Sequence, residues 1–197
     1  MFKKAISILI VMFATGGILY AESSQSELKL TNFKKFTMDK NYFSCSIPKD
    51  WEFSKMAKRK NKRGVYGLQV VGPRANNAPT LVRVTFYLNN NIYFNGYSDF
   101  IESNSKDIFG DTKTKTDTYG PVEKIKLNSR IVYRFEREIK EYTDPEGKSG
   151  RFIMLKEFFY VIPRDKGFHV LHFMSSEPSY SKFLPIFEKI VNSFRGV

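Results

Sequence analysis

Only one cysteine, Cys45, occurs in the 197 residues, alongside two histidines and one tryptophan. A single thiol cannot build an intramolecular disulfide framework, nor supply a Cys-based zinc or iron–sulfur centre. The histidines, His169 and His172, stand three apart on an expected strand and so point to opposite faces, which does not let them share a metal. The sequence has no G-x-S-x-G elbow, H-E-x-x-H pair, phosphate-binding glycine loop or EF-hand spacing. A hydrolase reading therefore has no nucleophile and base to name, and no cofactor is expected. Acidic residues are also in deficit, 20 against 32 Lys+Arg, for a formal net charge of +12.

Apolar residues are not lacking. They make up 42% of the chain, with aromatics at 16%, enough for one packed core and too much for a disordered chain. Lys3 and Lys4 precede a run of about 15 apolar or small residues, and Ala21 is followed by Glu22-Ser23-Ser24-Gln25. This is the layout of a secretory signal peptide over 1–21, with an uncleaved N-terminal anchor as the alternative. The run is short for a span of about 20 residues, so no stable transmembrane segment is expected after cleavage. Loss of 1–21 leaves 30 basic and 20 acidic residues, a net charge of +10. The expected location is the periplasm, with secretion as the alternative. Export makes nucleic acid an improbable partner for that charge and favours an envelope protein or an anionic membrane surface.

Residues 22–32 read as a flexible leader and 33–195 as one domain. Period-two alternation predicts strands over 42–47, 65–71, 81–88, 122–125, 130–142 and 168–174. The segment 152–162 is apolar on both faces and reads as a central strand. Turns are expected at 48–50, 72–79, 127–129, 144–147 and 163–167. Helical spacing predicts one helix over 97–109, ended by Gly110, and another over 179–194, with Pro185 as a kink or restart. The class is α+β: an antiparallel sheet flanked by helices.

The run Phe43-Ser44-Cys45-Ser46-Ile47-Pro48-Lys49-Asp50-Trp51 resembles the opening strand, turn and Trp of PsbP-like domains. The stretch from Leu171 to Pro178, followed by Tyr180, Phe183, Pro185, Phe187, Ile190 and Phe194, is similar to the same group's last strand and helix. The resemblance is to the Mog/PsbP/DcrB-like superfamily and covers most of 33–195. It implies an α/β/α sandwich. It also implies a non-catalytic binding or assembly role, since the superfamily spans a photosystem subunit, a Ran-binding protein and bacterial envelope proteins.

Two segments are candidates for partner binding. Lys55, Lys58, Arg59, Lys60, Lys62 and Arg63 place six cations within nine residues between two strands. Such density is relieved by solvation or by an anionic partner, and anionic lipid would contribute about 1 kcal/mol per basic residue. Tyr93, Phe94 and Tyr97 follow three asparagines and would suit protein recognition, or else line the core. Cys45 is either a small buried residue or an exposed thiol able to link to a partner. Asp107, Asp111 and Asp117 could approach one another as a weak Ca²⁺ or Mn²⁺ site, or simply solvate a helix end and loop. The aromatic excess also fits a carrier of a hydrophobic small molecule between sheet and helix.

Overall fold

Strand-forming segments rich in aromatic and β-branched residues pair into two antiparallel sheets in the computed structural model, which describes residues 32–56, 63–75, 78–127, 129–144 and 150–197. The expected signal peptide, nearly all of the leader and most of the 144–147 turn lie outside the described residues. In chain order the strands are β1 (Phe33–Thr37), β2 (Phe43–Pro48), β3 (Glu52–Lys55), β4 (Val65–Ala75) and β5 (Ala78–Leu88). Helix α1 (Tyr97–Ser105) follows, then β6 (Asp117–Tyr119), β7 (Glu123–Leu127), β8 (Arg130–Tyr142), β9 (Phe152–Arg164) and β10 (Gly167–Ser176). Helix α2 (Glu177–Ser193) and β11 (Arg195–Gly196) close the fold. The larger sheet runs β3-β4-β5-β10-β9-β8-β6, and β7 shares the outer edge of β8 with β6. The smaller sheet is β1-β2-β11.

Alternation sends the side chains of the large sheet to two cores. On one face Phe135, Phe159, Val161, Phe168 and Val170 pack around Phe100 of α1, with Tyr87, Phe94 and Tyr133 at the border. Phe135 and Phe159 stack at 4.7 Å. On the other face Phe187 of α2 meets Phe158, Tyr160 and Phe173. The small sheet extends this second layer, bringing Tyr42 onto Phe86 and Phe43 edge-on to His169. Phe86, Phe135, Phe168, Phe173 and Phe187 are fully buried, and each such ring contributes roughly 1.5–3 kcal/mol. The architecture is the α/β/α sandwich expected, with β9 and β10 at its centre.

Two glycines set close approaches. Trp51 is buried edge-on to Phe183, and its indole lies where a Cβ on Gly72 would be, 2.7 Å away. Gly167, at φ +154°, turns β9 into β10, and a Cβ there would fall 1.9 Å from the carbonyl oxygen of Tyr87, so a side chain has no room.

Several boundaries differ from the sequence expectation. The 72–79 turn is mostly strand: β4 and β5 continue to Ala75 and from Ala78, with a register shift between Val71 and Arg74. Helix α1 stops at Ser105 instead of running to Phe109. Lys106 is extended, and the Asp107 carboxylate accepts from the amides of Phe109 and Asp111, at 2.9 and 2.7 Å. A side chain that offers those amides a local partner competes with another helical turn. Ile108 and Phe109 are left 92% and 84% exposed. Helix α2 passes through Pro185 without interruption.

Candidate docking surface

The basic segment is the connection between β3 and β4, and its base is held by backbone bonds. Met56 N–H donates to Gly67 O at 2.6 Å, and Leu88 N–H to Gly64 O at 2.9 Å. Gly64 adopts φ +67° with its Cα close to Asn91, a conformation that favours glycine. Lys55 and Arg63 flank the connection, whereas Lys58, Arg59, Lys60 and Lys62 lie outside the described residues. Lys55 pairs with Asp39 at 2.6 Å. Both groups are largely exposed, so the pair contributes little to stability.

The Asn89–Tyr97 segment is built around one side chain. Asn91 Oδ1 accepts from the amides of Tyr93 and Phe94, both at 2.9 Å. Its Nδ2 donates to Leu88 O and Phe94 O, at 2.8 and 2.9 Å. Asp99 takes the amide of Asn95 at 2.9 Å, tying the loop to α1. This scaffold turns Ile92 and Tyr93 outward, at 64% and 49% exposed. It turns Phe94 inward, 5.4 Å from Tyr87 and 5.0 Å from Phe100. Tyr97 is half-buried and stacks on Tyr133 at 5.5 Å. Phe94 and Tyr97 therefore pack against the α1 core, and Tyr93 is the member of the trio that faces solvent.

The two candidate segments form one surface. Arg63 Nη1 donates to the Tyr93 hydroxyl at 3.0 Å, across 30 residues of sequence. Ile92 N–H reaches Arg63 O at 3.3 Å. The adjoining edge strand β3 and the residue after it add Phe53 and Met56, 44% and 48% exposed, and Lys34 lies 4.5 Å over the Phe53 ring. Cations, two exposed aromatics and a methionine thus occupy one end of the sheet and its edge.

Other ionisable groups are occupied structurally. Cys45 is buried, and burial pushes its thiol up to about 12. His169 is fully buried on the α2 side, its Nε2 3.1 Å from Tyr42 O. His172, on the α1 side, bonds Glu157 at 3.0 Å and stacks on Phe159 at 4.3 Å. Glu157 also receives Arg137 Nε at 2.6 Å. Burial alone would raise the Glu157 carboxyl, but the hydrogen bonds and charges of His172 and Arg137 outweigh it and hold it low. Sequence reasoning missed this trio, whose one signal is an acid, beside Lys156, within a predominantly apolar central strand. Asp107 and Asp117 cap separate turns, the latter accepting from the Thr116 hydroxyl at 2.6 Å. Among the described residues no three metal-ligating side chains stand together, and no helix is long and apolar enough to cross a membrane.

No protein-family model matches the chain, and no curated protein matches it in sequence. Its fold does have solved counterparts. The solution structure of cyanobacterial PsbP (CyanoP) from Synechocystis sp. PCC 6803 aligns with a TM-score of 0.51 at 10% identity. That alignment covers 94% of this chain and 99% of the other. The Ran-binding protein Mog1p of Saccharomyces cerevisiae aligns at 0.49 and 10%, over 85% of this chain and 96% of its own. The fold is PsbP-like, as the residue resemblance implied.

Proposed function

We propose that this protein is a non-catalytic binding or assembly module of the cell envelope, exported through residues 1–21, that docks on an anionic surface with its β3–β4 connection. The observation that carries this reading is the contact between Arg63 and Tyr93. It merges the cationic connection with an exposed aromatic on a loop held by the Asn91 hydrogen bonds, and Arg and Tyr are among the residue types enriched where partners bind. A non-catalytic role fits the histidines, whose bonds go to a backbone carbonyl and to Glu157 and not to a hydroxyl or thiol nucleophile.

The test is sedimentation of the mature chain with vesicles of phosphatidylglycerol and phosphatidylcholine at low and high salt. It is paired with capture from detergent-solubilised envelope, and a variant with Lys58, Arg59, Lys60, Lys62 and Arg63 changed to Ser is run beside the wild type. Salt-sensitive binding to anionic vesicles identifies a membrane surface. Salt-sensitive capture of an acidic envelope protein, without vesicle binding, identifies a protein partner. Equal behaviour of variant and wild type in both assays removes the connection from the mechanism.

A further inference from the structure

At the same end of the large sheet as the docking surface, but formed by β8, β9 and the residues after α2, a cleft of about 300 Å³ opens between the large sheet and the end of α2. Its walls are Val132, Ile162 and Phe194, with Arg130, Arg164 and Arg195 among the lining side chains. The arginines come from the start of β8, the end of β9 and the residue after α2. We propose that this cleft binds a small amphiphilic oxyanion, its charged group on the three guanidinium groups and its apolar body against the walls.

Convergence of the cations is the first support. Arg130 Nη1 and Arg164 Nη2 both reach the carbonyl of Gly196, each at 3.5 Å. Two guanidinium groups around one neutral oxygen, at the outer limit of hydrogen bonding, leave most of their donors for another acceptor. Arg195 Nη1 is fixed nearby by Asn192 O and Phe194 O, at 3.0 and 2.7 Å. Charge balance is the second. Among the described residues no carboxylate forms an ion pair with any of the three. Asp165 offsets only part of the cost to Arg164, whose guanidinium is held below its usual range by burial and then by Arg130. The third is that the protein leaves the group incompletely satisfied: Arg164 Nε is buried with no hydrogen-bond partner among the described residues. Planar guanidinium pairs suit carboxylate or phosphate, and the volume is at the lower end of small-molecule sites.

Calorimetry and amide NMR on the full mature chain test the site with four probes: phenylacetate, phenyl phosphate, inorganic phosphate and 2-phenylethanol. One of the two phenyl oxyanions is expected to bind once per chain and shift the Gly196 amide; which one binds tighter separates carboxylate from phosphate. Inorganic phosphate and the neutral alcohol should bind at least about tenfold more weakly, the loss of one charge-assisted contact or of the apolar body. R130Q and R195Q, whose side chains sit at the exposed rim, should each weaken the oxyanion about tenfold with no change in circular dichroism. The proposal is overturned if neither phenyl oxyanion saturates at millimolar concentration. It is equally overturned if both variants bind as the wild type does, or if the alcohol or inorganic phosphate matches the phenyl oxyanions.

Discussion

His169 should make the fold acid-labile well above the usual carboxylate range. Its imidazole is fully buried among Phe43, Phe86 and Phe194. Burial, with the charges of Arg164 and Arg130 adding to it, lowers its pKa from 6.5 to about 3, against the opposing pull of the Tyr42 carbonyl. The folded state thus refuses a proton that the unfolded chain accepts, so stability is intact above the unfolded value and falls as pH drops from 6.5 towards 3. Within that window the slope approaches about 1.4 kcal/mol per pH unit, and the loss between pH ~8 and pH ~5 is about 2 kcal/mol. For a domain of this size that lowers Tm by about 4–8 °C. Urea titrations and thermal scans over this range, on wild type and His169→Gln, give the measurement. The variant retains a donor for Tyr42 and is less stable at every pH, but the gap between the two proteins should narrow on acidification. A gap that stays constant from pH ~8 to pH ~4 would refute the argument.

Gly167→Ala should destabilise by on the order of 1–3 kcal/mol, read as a lowered urea midpoint, because its φ and the adjacent Tyr87 carbonyl both exclude a Cβ. Glu157→Gln should cost about 3–5 kcal/mol, since it removes the charge opposite the partly buried Arg137 and leaves one acceptor oxygen where Arg137 and His172 use two. Glu123→Gln, which breaks the exposed pair with Arg134 at 2.6 Å, should cost under about 1 kcal/mol; equal losses would refute the difference in burial. Cys45 should resist a thiol reagent in the native protein and react on unfolding, so rapid native labelling would contradict its burial.

What could be read in advance follows from how local the determining forces are. β9, β10 and α2 are legible because each is a long segment with a strong apolar signal, nearly continuous in the two central strands and a helical stripe in α2. β1 is not, since Phe33-Lys34-Lys35-Phe36-Thr37 is short and lysine-rich and is ordered by pairing with β2. The two-residue β11 has no pattern to display. Helix α1 ended early because the Asp107 side chain outcompetes backbone bonding, a contest invisible to spacing. In β8, alternation groups Ile131 with Tyr133 and Phe135, yet Ile131 is 48% exposed while Val132, on the opposite face, is at 1%. The reason is that α1 covers one part of the sheet and α2 the other. The cationic connection stood out as a run, but its link to Tyr93 spans 30 residues, and the three cleft arginines lie still farther apart. Tertiary pairing alone brings them together.

The small sheet has a consequence for the order of assembly. β2 lies between β1, just before it, and β11, which follows everything else. Gly196 lies so close to His169 that a Cβ there would fall 2.7 Å from the ring. β5 likewise waits for β10, with Leu81 opposite Met174. A nascent chain lacking its last strands has neither the centre of the large sheet nor the lid on His169, and such long-range closures are slow to form. Both sheets therefore close only when β10 and β11 are available.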